Sequence, residues 1–137
     1  MQVRHAKRAD AKSVAKMFSQ LYNDQKRSIR TGPFRAKTLL LIAEEKGSPA
    51  GFIWANFYDY GPSAVGYIDE LYVRPKFRRN GAGKQLIRSA AKQLFRLGAE
   101  TVFVTTTPTS RVAQRFYRAM GFRKCDGPWF WLAPRRP

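Results

Sequence analysis

Between residues 67 and 97 a strand gives way to a helix with almost no connecting chain, and the short link carries two arginines and two glycines. Tyr67, Ile68, Asp69, Glu70, Leu71, Tyr72 and Val73 are rich in β-branched and aromatic side chains and stop short of Pro75, which predicts a strand over residues 67–73. From Ala82 the apolar positions Ala82, Leu86, Ile87, Ala90, Ala91 and Leu94 recur at three- and four-residue intervals, so a helix presses one face against a sheet. The link itself, residues 78–83, reads RRNGAG. Glycines spaced by one residue at a helix start let a ligand approach the backbone, while the first helical amides and the helix dipole offer it positive charge. That combination suits a phosphate. Neither common glycine-rich nucleotide motif fits, because no third glycine completes G-x-G-x-x-G and G-x-x-x-x-G-K-[ST] is absent.

What fits is R-x-x-G-x-G, from Arg78 to Gly83, and it resembles the pyrophosphate loop of the GNAT superfamily of acetyl-CoA-dependent N-acetyltransferases. Leu71-Tyr72-Val73-Arg74-Pro75 precedes the loop at the family's spacing, and residues 113–122, AQRFYRAMGF, resemble its A-x-x-F-Y-x-x-x-G-F signature. The resemblance spans nearly the whole chain. It implies an α/β fold with a central mixed sheet of about six to seven strands and about four helices. It also implies a single domain over residues 1–133 with a short tail at 134–137. On the residues alone the plainer alternative is an α/β domain with a glycine turn and no cofactor.

A chain of 137 residues matches one domain of ordinary size. Met1 runs directly into charged residues, and no uncharged apolar run approaches bilayer length, so the reading is a cytoplasmic protein with no membrane partner. The lone Cys125 and lone His5 exclude an intramolecular disulfide and argue against any metal site. The net charge of +17 is unevenly spread. Residues 1–37 hold ten lysines and arginines against two acids, residues 75–137 hold fourteen against two, and residues 38–74 hold two against five. Basic flanks around a mildly acidic middle favour a polyanionic partner such as RNA or the ribosome, and disfavour cationic small substrates.

Along the chain, residues 2–5 predict a short first strand, and residues 9–22 an amphipathic helix with Val14, Met17, Phe18 and Leu21 on one face. Residues 23–37 read as a basic loop with a short helix. Residues 38–45 and 51–60 predict a hairpin joined by residues 46–50, with Phe52, Trp54, Asn56 and Tyr58 on one face of its second strand and Ile53, Ala55, Phe57 and Asp59 on the other. Residues 97–99 end the central helix, 101–106 predict a parallel strand, and 111–120 a further helix closed by Gly121. Residues 122–124 and 129–133 read as a last strand pair, with homodimerisation through them open and the Trp129-Phe130-Trp131 cluster either interface or core.

Acetyl transfer needs a bound donor, an unprotonated amine, a stabilised oxyanion and a proton for the leaving thiolate. The resemblance implies that backbone groups of Leu71, Tyr72 and Val73 bind the pantetheine of acetyl-CoA. It implies further that the amides of Arg79, Asn80, Gly81, Ala82, Gly83 and Lys84 take the pyrophosphate, with Arg78 beside it. Tyr117 matches the tyrosine that protonates the thiolate, and Phe116 and Ser110 fall on the cofactor side; Ser110 stands where family members often carry asparagine. Phe116 and Tyr117 also read simply as core aromatics of an amphipathic helix. Glu70 is the candidate general base. Strand alternation sends Asp69 to the opposite face, so only one of the two meets the substrate, and a bulge would reverse which. Either carboxylate could instead bind the ammonium acceptor or pair with an arginine, and Asp59 joins them as an acidic patch.

Lys84, Arg88, Lys92 and Arg96 form a basic stripe on the central helix, and Arg111, Arg115 and Arg118 nearly repeat it on the next. The acceptor is a primary amine, of a protein or of a small molecule, with the basic surface favouring a protein amine. A non-catalytic acyl-CoA-binding regulatory module and a nucleic-acid- or ribosome-associated basic protein stand as alternatives.

Overall fold

A computed structural model describes residues 1–2, 4–5, 7–22, 35–61 and 63–125. Among them lie four strands, β1 (Arg35–Glu45), β2 (Ser48–Asp59), β3 (Ala64–Val73) and β4 (Thr101–Val104), and three α-helices, α1 (Ala11–Tyr22), α2 (Ala82–Leu97) and α3 (Arg111–Ala119). The chain forms two compact units, Met1–Thr105 and Thr106–Pro137. The first holds the whole described sheet, in the order β1-β2-β3-β4. Antiparallel pairing joins β1 to β2 and β2 to β3, while β4 joins β3 in parallel after α2. The mixed α/β architecture expected from the sequence is therefore present.

The β1–β2 hairpin is tighter than the five-residue loop predicted. Lys46 and Gly47 alone turn the chain, at φ 50° and 78°, because two successive left-handed residues match the right-handed twist of the strands they join. Pro49 consequently sits inside β2, tolerated beside the register shift after Ala43.

Odd-numbered residues of β2 face α2. Ile53, Ala55 and Phe57 are buried, as are Leu86, Ile87, Ala90 and Leu94 of the helix. The helix comes unusually close at Gly66, where a β-carbon would stand 2.8 Å from Leu94 Cδ1. Gly98 ends α2 in the left-handed region, at φ 113°, as its sequence predicts. Arg35 ties the edge strand to this end. Its Nη2 lies 3.4 Å from the Leu97 carbonyl oxygen and 3.6 Å from Asp59 Oδ2. Among the described residues no helix is long and apolar enough to cross a membrane.

Two expected strands are not seen where the chain is described. Gln2, Arg4 and His5 lie outside any strand, and Arg4 instead grips both carboxylate oxygens of Asp10 at 2.8 and 3.0 Å. Phe122, Arg123 and Lys124 are irregular, and the partner expected for them, residues 129–133, falls outside the described residues. The short helix expected within 23–37 falls outside them too, apart from residues 35–37, which already belong to β1.

Candidate active site

Strand β3 loses one neighbour half-way along. Its parallel pairing with β4 runs from Val65 opposite Thr101 to Ile68 opposite Val104 and ends there, while pairing with β2 continues to Val73. Among the described residues, β3 from Asp69 onward thus has a strand on one side only. The Arg74 amide donates to the Ala50 carbonyl of β2 at 2.8 Å. Alternation along the strand then turns the backbone groups of Tyr72 toward β2 and those of Leu71 and Val73 toward the free edge. The Val73 carbonyl accepts a hydrogen bond from Arg78 Nε at 2.9 Å. Of the three residues predicted to offer backbone groups, Leu71 and Val73 present them to the open side, and Tyr72 does not.

The same point carries a bulge. Trp54 opposes Glu70, but Ala55 opposes Ile68, so Asp69 is an extra residue in β3. The insertion reverses the strand's alternation. Glu70 thereby shares the face of Trp54, opposite α2, and Leu71 joins the helix-facing side with Ile53. Asp69 is on the Glu70 face as well, because Asn56 Nδ2 donates to Asp69 Oδ2 at 2.6 Å and Asn56 belongs to the Trp54 side of β2. The expectation that the two acids point oppositely is corrected: both exposed carboxylates stand on one face of the sheet. Asp59 does not join them. It is only 6% exposed, lies on the α2 side by register, and accepts from the Gly61 amide at 3.2 Å.

Around the carboxylates the open face is aromatic. Trp54, Tyr58 and Tyr72 are 43%, 41% and 46% exposed. The Tyr67 ring stacks on Phe103, with centroids 5.2 Å apart, and meets Tyr58 edge-on. Burial, reinforced by Tyr60 and Tyr58, pushes the Tyr67 phenol above its usual range.

The link to α2 is built from unusual backbone angles. Arg79, with φ 65°, is one of two non-glycine residues with positive φ among those described, and Gly81 follows at φ 81° as the residue before the helix. Gly81 provides no side-chain cap, and the first bond inside the helix runs from the Gln85 amide to the Gly81 carbonyl at 2.9 Å. The amides of Ala82, Gly83 and Lys84 come before that bond, the geometry that suits an anion at a helix start. Arg78, exposed, lies with its guanidinium carbon 5.9 Å from the Tyr72 ring centroid, held back against the end of β3 by its Nε bond. Asn80 is exposed in the turn between them.

In the second unit Ser110 precedes α3, half-buried and making no side-chain cap bond. Gln114 Nε2 donates to the Pro108 carbonyl at 2.9 Å and fixes the approach to the helix. Tyr117 is half-buried, its ring edge-on to Phe116 and Phe122 with centroids 5.4 and 5.8 Å away. The Phe122 amide bonds the Tyr117 carbonyl at 3.0 Å, and Gly121 at φ 93° makes that turn. The signature's spacing therefore folds Phe122 back onto Tyr117.

The profile described as "Acetyltransferase (GNAT) family" matches residues 8–122. The chain belongs to the GNAT acetyltransferase family. It is similar to the uncharacterized N-acetyltransferase YhfO of Bacillus subtilis, 25% identical over 138 residues and 93% of each chain. It is also similar to the aminoalkylphosphonate N-acetyltransferase of Salmonella typhimurium, 29% identical over 132 residues, 90% of this chain and 85% of that one. Among solved structures, the aminoglycoside N-acetyltransferase AAC(6')-Iy in complex with CoA superposes with a TM-score of 0.65 at 20% identity, covering 98% of this chain and all of that one. The chain is thus an acetyl-CoA-dependent N-acetyltransferase with the GNAT fold.

The residues present suit such a donor. A free strand edge offers the amide and carbonyl of Leu71 and the amide of Val73 to an extended amide-bearing chain, and the helix start offers amides to phosphates. Sequence reasoning missed Thr38 and Asn56, whose chain of bonds runs from Thr38 Oγ1 to Asn56 Oδ1, 2.6 Å, and on to Asp69. A signal existed: Asn56 is an amide alternating with Trp54 and Tyr58 on one strand face.

Proposed function

We propose that the chain transfers the acetyl group of acetyl-CoA directly to the primary amine of a small molecule, in a ternary complex of enzyme, donor and acceptor. The single observation that carries this is the bulge at Asp69. It falls where β3 leaves β4, and it brings Glu70 and Asp69 to one face beside the exposed strand edge. In this reading Leu71 and Val73 hold the pantetheine by their backbone, with Tyr72 lending its ring beside them. The amides of residues 79–84 and the Arg78 guanidinium take the pyrophosphate.

Glu70 accepts the proton of the ammonium group, directly or through water. The freed amine attacks the thioester carbonyl carbon, a C–N bond forms, the C–S bond breaks, and the Tyr117 phenol protonates the departing thiolate; the nitrogen then releases its surplus proton to solvent, from which the Tyr117 phenolate is reprotonated. A phenol carries one O–H proton and can donate it along a hydrogen bond to the thiolate sulfur. Ser110 and Phe116 are assigned in the same reading to donor binding, and the domain spans residues 1–133.

The basic surface alone favours a protein amine. The face bearing the carboxylates, however, belongs to residues 38–74, the one net-acidic part of the chain, and its aromatic floor suits a small cation. The aminoglycoside acetyltransferase with the same fold supports a small-molecule acceptor.

The test is thiol release from acetyl-CoA against a panel of small amines, aminoglycosides, aminoalkylphosphonates and peptides, in wild type and in Tyr117→Phe. Turnover with a small amine that collapses in the variant, with donor binding kept, is expected. Donor binding without turnover on any member would identify a non-catalytic acyl-CoA module instead.

A further inference from the structure

Helix α2 buries one side completely and leaves the other to solvent. At about 100° per residue, its outer surface comprises Lys84, Gln85, Arg88, Ser89, Lys92, Phe95 and Arg96, every one exposed. Four are cations, none is acidic, and α2 contains no acid anywhere. None of the four has an ion-pair partner among the described residues; the pairs there are Arg4 with Asp10 and Arg35 with Asp59. Successive cations stand four residues apart, about 6 Å along the axis, in a row about 18 Å long. Like charges at this spacing repel, and nothing within the helix offsets it.

We infer that this face of α2 is a docking surface for the phosphodiester backbone of a nucleic acid, bound without reading of base sequence. Regularity is what decides for that partner. A duplex strand presents one phosphate per about 3.4 Å of axis, so the row lies along roughly five of them and can meet their charge continuously. An acidic protein surface would call for apolar and aromatic anchors at the centre of the contact, with few charges there. Here Phe95, 52% exposed, is alone among cations. A membrane would call for an apolar face free to insert, but Leu86, Ile87, Ala90 and Leu94 are spent against the sheet, each 3% exposed or less. Arg88, Lys92 and Arg96 have no part in the acetyl-transfer reading, so the surface stands independently of it.

The experiment measures binding of the full chain to a short RNA duplex and to the DNA duplex of the same sequence, across about 50 to 200 mM salt. Arg88→Gln/Lys92→Gln/Arg96→Gln is compared with Arg8→Gln/Lys12→Gln/Lys16→Gln, an equal loss of exposed charge elsewhere. Each phosphate contact contributes about 0.9 to the slope of log affinity against log salt. The α2 variant is therefore expected to flatten the slope by about 2.7 while the other leaves it unchanged, and the two duplexes show whether RNA or DNA is preferred. Equal flattening in both variants would overturn the proposal, since net charge alone would explain binding. So would tighter capture of phosphatidylserine vesicles than of either duplex at matched salt.

Discussion

Asn56 Nδ2 donates to Asp69 Oδ2 at 2.6 Å, and the bond crosses from β2 to the extra residue of the β3 bulge. Asn56 is braced from the other side by Thr38 Oγ1, so three neighbouring strands together aim one carboxylate. Replacing Asn56 by alanine removes a charge-assisted bond of about 1.5–3 kcal/mol, reduced here by solvent exposure. Acceptor KM is expected to rise about tenfold, the equivalent of about 1.4 kcal/mol, with acetyl-CoA KM unchanged. Glu70→Gln should instead lower kcat by about a hundredfold or more. Equal effects on both substrates' KM in Asn56→Ala would mean general disorder of the sheet.

Tyr117→Phe keeps the ring edge-on to Phe116 and Phe122 and removes only the hydroxyl. Steady-state kinetics should show kcat down by about a hundredfold, with the donor's dissociation constant within twofold of wild type. An undiminished kcat would leave Tyr117 a packing residue.

Arg79 occupies the left-handed region at φ 65°, where a β-carbon costs about 1–2 kcal/mol. Glycine relieves that strain but adds freedom to the unfolded chain, which returns about 0.4–1 kcal/mol. Arg79→Gly is expected to match or slightly exceed wild type in urea denaturation while weakening acetyl-CoA binding measured by calorimetry. Loss of stability would show that the φ value is not strained.

Gly66→Ala puts a methyl group 2.8 Å from Leu94 Cδ1 in a fully buried contact. Overpacking of this kind costs about 1–3 kcal/mol, so the urea midpoint should fall with the m-value unchanged. A neutral result would mean that α2 shifts freely on the sheet.

The bidentate bond from Arg4, with a further bond from the Lys7 amide, lowers the Asp10 carboxyl from 3.8 to about 2. A carboxyl depressed on folding stabilises above its unfolded pKa, and that contribution fades as pH falls from about 4 through about 2. An NMR titration should place the Asp10 midpoint near 2 in wild type and back toward 3.8 in Arg4→Ala. An unmoved midpoint would assign the shift to the Lys7 amide.

Much of this arrangement is legible in the chain. Ile53, Ala55 and Phe57 alternate with Trp54, Asn56 and Tyr58, and Leu86, Ile87, Ala90 and Leu94 keep helical spacing. Those periods are local, so they reveal which face is buried before any partner is known. Arg78 to Gly83 is legible for the same reason, since the need for left-handed backbone at Gly81 is written in the residue itself. Arg79's positive φ is not legible, because an arginine takes it only when the turn around it leaves no other path.

The sequence by itself determined a strand, a glycine-bearing turn and a helix whose start suits an anion, and an α3 signature that carries Tyr117, whereas the packing of Phe122 on Tyr117 came only with the structure. Only the tertiary structure decided where Asp69 and Glu70 point. A bulge is a relation between two strands, two residues of one facing a single step of the other, and no pattern within β3 records it. Once β2 pairs Trp54 with Glu70 and Ala55 with Ile68, one inserted residue turns both carboxylates to the same side, and the face opposite α2 becomes the acidic one.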